Sequence, residues 1–385
     1  MRTWQARARE FASEAVAPVA LVLERMDAQA AVAPGSPLFD LIAQAHREGF
    51  TRLVDPVEVG GLGVSRAGER IVFEEIACAD PGLASVLMAA SAPLRLARSA
   101  GARLPASLAA QLDGGRPHWL GCCVAGPAGR AGTPRALRHG DGWIITGVTS
   151  ALVPGAAAAT HAAIVCTIER AAGRRALALV PLDRTGVRRG PALEQLGLRA
   201  AARAELRLDM VGLAADELIL EEPGGASPVA AAAALAHGRA AVVAVGIARA
   251  ACEGTLRLLD ERARTHADAR WSGSARRRLL RMQALVSTAR SVAAAAHGYS
   301  THRVDAGEPC ASRHAAAAEA FAVRAAGAVA DAAMELCWPY SSDSGEVEFL
   351  DGSIFSPDKL LRDARSCAAG SLAAARAAAS TTVSD

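Results

Sequence analysis

The twelve residues from Tyr340 to Asp351 carry four carboxylates, Asp343, Glu346, Glu348 and Asp351. Carboxylates grouped so closely can accept or donate protons once burial or mutual repulsion separates their pKa values, although the same composition suits a polar surface loop. Shortly after them stands Lys359, the only lysine among 42 basic residues, which limits amine chemistry to one candidate. It lies beside Arg362-Asp363, and that pair is followed by Ala369-Gly370-Ser371. His297 and His302 are further titratable groups and read as core or surface histidines. Eight cysteines, Cys78, Cys122, Cys123, Cys166, Cys252, Cys310, Cys337 and Cys367, are scattered without a Cys-x-x-Cys pair. Zinc ligation needs closely spaced thiolates or imidazoles, so no metal site is expected, and most of these thiols read as small hydrophobes.

A chain of 385 residues exceeds one simple core and suits two or three packed subdomains. Its 51% hydrophobic and 21% charged content is that of a globular protein rather than a disordered one. The net charge of +3 is small and spread out. Arg276, Arg277, Arg278 and Arg281 form the densest basic cluster, but no aromatics are interleaved to stack bases, so a solvated helix face is expected and no nucleic-acid partner. The stretch Met1-Arg2-Thr3-Trp4-Gln5-Ala6-Arg7 has no apolar core, and the apolar run Val229 to Ala236 is ended by His237 and Arg239. Neither a signal peptide nor a membrane span is expected, and a reducing cytoplasm is the simplest compartment.

Apolar side chains recur at helical spacing around Phe39–Ala45 and Ile71–Ala77, joined by the glycine-rich connector Pro56-Val57-Glu58-Val59-Gly60-Gly61-Leu62-Gly63. From Trp119 the period changes. Trp143–Gly147, Ala162–Thr167 and Ala176–Val180 are short β-rich runs separated by turn residues, and His139-Gly140-Asp141-Gly142 is a hairpin signal. After Pro228 long helices return, from Val229 to about Arg264, from about Gly273 to Asp305 and from about Ala311 to Leu336. With a C-terminal helix they suffice for a four-helix bundle. The expected architecture is mainly α with a central β-barrel: an N-terminal helical domain over 1–117, a middle antiparallel β-barrel over 118–215 and a C-terminal four-helix bundle over 216–385.

This order resembles the acyl-CoA dehydrogenase family, and the motifs extend the resemblance over nearly the whole chain. The connector 56–63, Glu74-Glu75-Ile76-Ala77-Cys78-Ala79-Asp80, the hairpin Gly140–Gly147, Gly197-Leu198-Arg199, Leu206–Val211 and the run from His237-Gly238-Arg239 to Ala250 look like successive family segments. The closing Arg362-Asp363 resembles the family's Arg-Asp followed by Glu-Gly-Thr, whose Glu is in many members the base. In that chemistry a carboxylate removes the α-proton of an acyl thioester, the β-hydride passes to a flavin, and hydrogen-bond donors stabilise enolate-like charge on the thioester oxygen.

The resemblance implies a site that this sequence fills differently. The Glu position is Ala369, or Ser371 by an ungapped count from Arg362. In members that carry the Glu on an earlier helix, eight residues before an Asp that is here Asp331, the position is Val323. Glu319, one turn away, reads as a solvated or ion-paired helix residue. The family's flavin-contacting Val-Thr-Glu-Pro reads Val124-Ala125-Gly126-Pro127, and its Trp-Ile-Thr reads Ala151-Leu152-Val153. The Arg-Phe-Gly that grips the pyrophosphate and adenine is matched by Arg264 alone, in Arg264-Thr265-His266-Ala267-Asp268. A Gly-Gly near the partner's flavin reads Cys337-Trp338. By resemblance, then, the cofactor-binding positions are Val124, Ala125, Ala151, Val153, Arg264 and Ser371, Arg239 is a substrate contact, and the cofactor is FAD, with its loss as the alternative. Asp343, Glu346, Glu348 and Asp351 are candidate substitutes for the base.

Three readings follow: FAD-dependent α,β-oxidoreduction of an acyl thioester on coenzyme A or a carrier protein with an atypical base; a flavin-free enzyme doing cyclisation, dehydration or isomerisation in a biosynthetic pathway; or a non-catalytic subunit of a heteromer. A homodimer or homotetramer is the expected assembly, with a heteromer as the alternative.

Overall fold

The computed structural model describes residues 2–57, 61–99, 105, 121–124, 133–149, 153–171, 173–221, 227–265, 273–304, 309–340, 347–348 and 354–382. The chain opens with helices α1 (Arg2–Phe11), α2 (Ala17–Arg25), α3 (Ala28–Ala31), α4 (Pro37–Arg47), α5 (Arg66–Ala79), α6 (Pro81–Ala89) and α7 (Ala92–Ser99). Their starts follow capping chemistry, in which a short polar side chain accepts an otherwise orphaned backbone N–H. Ser36 Oγ accepts from Leu38, Ser65 Oγ from Gly68 and Asp80 Oδ1 from Leu83. In α4, Leu38, Leu41, Ile42 and Ala45 recur at helical spacing, and all are buried.

Strands β1 (Gly121–Val124), β2 (Arg135–His139), β3 (Gly142–Val148), β4 (His161–Ile168), β5 (Arg175–Pro181), β6 (Val187–Arg189), β7 (Leu206–Leu213) and β8 (Leu218–Leu220) form one sheet. The β2–β3 hairpin turns at Gly140, whose φ of 55° is one that side-chain-bearing residues seldom adopt. The expectation of an antiparallel barrel needs correction. The strand order is β6-β7-β3-β2-β4-β5-β8, and among the described residues the two end strands do not meet. The sheet is mixed because β1 and β2 both run parallel to β4, one after the other along the same edge.

Both faces of β4 and β5 are covered, which is why these segments read as almost continuous apolar runs. Ala162, Ile164, Cys166, Ala176, Ala178 and Val180 face one core within the sheet domain. Their alternates Ala163, Val165, Leu177 and Leu179 pack on Leu96 and on Val229, Ala231 and Ala232 of the next helix.

That helix, α8 (Pro228–Thr265), is joined by α9 (Gly273–Val304), α10 (Pro309–Cys337) and α11 (Pro357–Thr382), with a two-stranded ribbon of β9 (Val347–Glu348) and β10 (Ile354–Phe355) before α11. By length and composition α8 is apolar enough to cross a membrane, but most of that stretch is buried inside the fold. It packs against α10, α9, α5 and α11, and the N-terminal helices share one continuous core with this bundle. Gly246 permits the close approach of α8 to α5: a Cβ there would sit 2.9 Å from the carbonyl carbon of Ala77. The basic residues Arg276, Arg277, Arg278 and Arg281 are exposed on α9, as their composition implies.

The same contact between α5 and the bundle carries a buried ion network. The Arg249 guanidinium, 8% exposed, reaches Glu74 at 3.2 Å, Glu75 at 2.5 Å and Glu253 at 2.7 Å. Arg70 and Arg290 also pair with Glu74, while Gln5 and Arg9 hold Glu75 at 2.6 and 3.1 Å. Burial pushes the Glu75 carboxyl up, but the bonds from Arg249, Gln5 and Arg9 outweigh it and hold it at about 2. Its native pKa is depressed, so its contribution is whole above the ordinary glutamate value of about 4.3 and fades as pH falls towards the native one. We expect the wild type to lose on the order of 3 kcal/mol more than Glu75→Gln across that window, measured by urea unfolding at a series of pH values. Parallel pH curves for the two proteins would contradict this.

Candidate functional site

The Arg-Asp pair anchors α11 rather than presenting a reactive group. Asp363 is 0% exposed, and its Oδ1 accepts the backbone N–H of Leu198 at 2.6 Å. Leu198 has a φ of 55°, a turn conformation that aims this N–H at the carboxylate. Next to it, Gly197 donates to Ser366 Oγ at 3.2 Å and lies so close to the Arg362 carbonyl that no side chain fits between them. Lys359 Nζ, on the same helix, bridges Asp363 at 2.9 Å and Asp80 at 3.1 Å. Asp80 is also the cap of α6, so one ammonium ties the N-terminal helices, the sheet domain's 197–198 turn and the bundle together. Burial pulls the Lys359 pKa down, but the two carboxylates outweigh it and raise it above the ordinary lysine range. The only lysine is thus a charged strut and not an amine nucleophile. Arg362 is more exposed and pairs with Asp358 and, at 3.4 Å, with Glu24.

Ala369 follows on the exposed side of α11, and Ser371 lies in the same helix. Val323 is buried in α10, and Glu319, one turn before it, is only 6% exposed. Glu319 does not face water: its Oε2 meets His237 Nδ1 from α8 in a close pair. Arg239, two residues further on α8, is buried in the bundle, as is Cys337, whereas Trp338 is exposed. Glu348 lies in β9 opposite Ile354. Asp343, Glu346 and Asp351 lie outside the described residues, as do Ala125 and Ala151.

The positions matched to flavin contacts divide into two groups. Val124 ends β1 with its backbone in register with Ile164 of β4, and Val153 is buried and bridged to Ala204. A strand of this kind can still offer backbone groups to a planar ring. The pyrophosphate end differs. Arg264 is exposed in the last turn of α8 and shares an open groove with Arg257, Glu253, Asp260 and Glu261. Glu253 is already paired with Arg249, which leaves two carboxylates against two guanidiniums, so the described residues offer the pyrophosphate of FAD no net positive charge.

The described thiols behave as expected of core residues: burial pushes Cys166 and Cys367 up to about 12, and Cys252 and Cys337 up to about 11. Two features escaped the sequence reading, the Lys359 bridge and the His237–Glu319 pair. Their partners are separated by 279 and 82 residues, respectively, with no local periodicity linking them.

Replacing Lys359 by Met strands two buried carboxylates and should cost about 3–5 kcal/mol, whereas Arg362→Ala should cost about 1 kcal/mol or less. Equal losses in chemical denaturation would show that the strut is misassigned. Placing a carboxylate at the two positions matched by resemblance to the family's base should split the same way. Ala369→Glu should stay within about 0.5 kcal/mol of wild type, and Val323→Glu should lose several, because it buries a charge without a partner.

Residues 1–98 match the family described as acyl-CoA dehydrogenase, N-terminal domain. No curated protein matches the chain. Among solved structures it is similar to butyryl-CoA dehydrogenase from Megasphaera elsdenii, with 19% identity and a TM-score of 0.73 over 95% of this chain and 92% of that one. A probable acyl-CoA dehydrogenase from Mycobacterium abscessus is 21% identical with a TM-score of 0.74, covering 96% and 94% of the two chains. A nitrososynthase from Micromonospora carbonacea var. africana is 23% identical with a TM-score of 0.67, covering 92% of each. Residues 1–98 thus match that family's N-terminal domain, and the chain as a whole shares the fold of these dehydrogenases.

Proposed function

We propose that the chain acts on an acyl thioester, carried by coenzyme A or a carrier protein, and that no carboxylate at either familiar base position takes part. The observation that carries this reading is the contrast at α10 and α11. The Asp363 anchor is intact and fully buried, while the positions that would hold the base are an exposed Ala369 and a buried Val323. Losing a positioned base costs about 10²–10⁴ in rate, so α,β-oxidoreduction by the usual route would be slow unless another group accepts the α-proton. FAD, when bound, would supply the acceptor for the β-hydride. The remaining demands fall on the protein, which must bind the thioester, exclude water and hold the α-proton acceptor in reach.

A second reading, a flavin-free enzyme performing non-redox chemistry on the same class of substrate, is favoured by the groove around Arg264, whose carboxylates leave it no net positive charge. The shared fold does not choose between them, since a nitrososynthase also has it.

The visible spectrum of the purified protein, and of the supernatant after heat release, separates these readings. We expect a preparation with little or no flavin, which on titration holds FAD no more tightly than FMN because the adenosine half gains no cationic clamp. Stoichiometric yellow FAD in the purified protein would restore the first reading and sink the second. Equilibrium dialysis against a series of acyl-CoA thioesters tests the substrate class itself, with micromolar retention of at least one as the expected result.

A further inference from the structure

Among the described residues, the partner of the buried Glu319 carboxylate is a histidine and not an arginine or lysine. An ionised carboxylate can only accept hydrogen bonds, so it fixes the Nδ1 nitrogen of His237 as the donor and leaves the lone pair of Nε2 outward. Nε2 bonds nothing among the described residues and is not one of the sealed polar atoms, and the ring is 25% exposed. A base oriented by a buried carboxylate that also stabilises its protonated form is the arrangement general-base catalysis requires.

Its place is also informative. Glu319 lies one helical turn from Val323, and residues so spaced share a helix face. From α11, Cys367 comes near enough for Glu319 to help raise its pKa, after burial. The charged and titratable groups meeting at this junction are Glu319 of α10, Cys367 and Asp363 of α11, and Arg203 from the segment before β7. The imidazole therefore stands beside the face of α10 that carries Val323, one of the two positions matched to the family's base.

We propose that His237, oriented by Glu319, is the group that accepts the α-proton of a bound acyl thioester in this chain. The Cα–H bond breaks, its proton forms the N–H bond at Nε2, and the electron pair remains on the substrate as the thioester enolate. The imidazolium so formed is balanced by the Glu319 carboxylate, and no oxidant is needed for this step. Return of a proton to Cα completes an exchange cycle. His237 is the catalytic residue, and Glu319 is a positioning residue. The inference rests on the acyl-thioester reading above.

The test is deuterium uptake at C2 of acyl-CoA thioesters, from acetyl to palmitoyl, incubated with the full-length protein in D₂O and read by mass spectrometry, with binding measured in parallel by equilibrium dialysis. The informative variant is His237→Asn, whose amide nitrogen can keep the bond to Glu319 while Nε2 is removed. Wild type should exchange, and His237→Asn should lose about 10²–10⁴-fold in rate with binding and thermal unfolding little changed. Glu319→Gln should slow exchange with thioester binding unchanged, and Glu319→Asp should restore much of the rate, a pattern a purely structural pair would not produce. Exchange by His237→Asn at the wild-type rate, or bound thioester that no protein exchanges, overturns the assignment while leaving the substrate reading intact. Exchange by Glu319→Gln at the wild-type rate overturns the role of Glu319. Failure to bind any thioester overturns the substrate reading and this inference with it.

Discussion

A single ammonium between two buried carboxylates holds the architecture in register. Asp80 caps α6, Asp363 receives the Leu198 N–H, and Lys359 lies 3.1 and 2.9 Å from them. Two carboxylates brought this near in a desolvated place repel each other strongly, so the cation is what allows the N-terminal helices, the 197–198 turn and α11 to meet. Once they meet, the start of α11 is fixed, and with it the direction in which Cys367 and Ala369 are presented. The Arg249 network does comparable work on the other side of α8, where Glu74 and Glu75 of α5 converge on one guanidinium and clamp the helix that carries His237.

This division separates the groups that hold the fold together from those matched by resemblance to the family's chemistry. The groups that join the domains are buried, charged and mutually dependent, so changing one leaves an uncompensated charge. The groups matched to chemistry carry no such debt. Ala369 is exposed, and Val323 is one apolar side chain among many in the bundle. The groove around Arg264 is open to solvent, where added carboxylates cost little. The joints of this scaffold are coupled, whereas the positions matched by resemblance to a base and an anion clamp are not, so the two sets can change independently.

Much of the fold was legible in the chain. The helical periodicity of Leu38, Leu41, Ile42 and Ala45, the Gly140 turn and the long apolar stretches after Pro228 marked helices, hairpin and bundle through local chemistry alone. The mixed, open order of the sheet was not legible, because strand order depends on pairings between distant segments, and β1 and β2 share an edge of β4 that neither sequence announces. At the site, Ala369 and Val323, at the positions matched by resemblance to the family's base, could be read directly as letters. The meaning of Lys359 could not, since a lone lysine beside Arg-Asp is equally consistent with an amine nucleophile and with a strut.

The sequence by itself determined which chemical groups exist: one lysine, no carboxylate at either base position, and a run of segments in the acyl-CoA dehydrogenase order. Tertiary structure decided which of them face each other. It turned Asp363 inward to a backbone amide, brought Asp80 to Lys359 across 279 residues, and set Glu319 against His237 across 82. The reason is physical: periodicity reports which face of an element avoids water, whereas the protonation and reactivity of a buried group depend on the particular charge that packing places beside it.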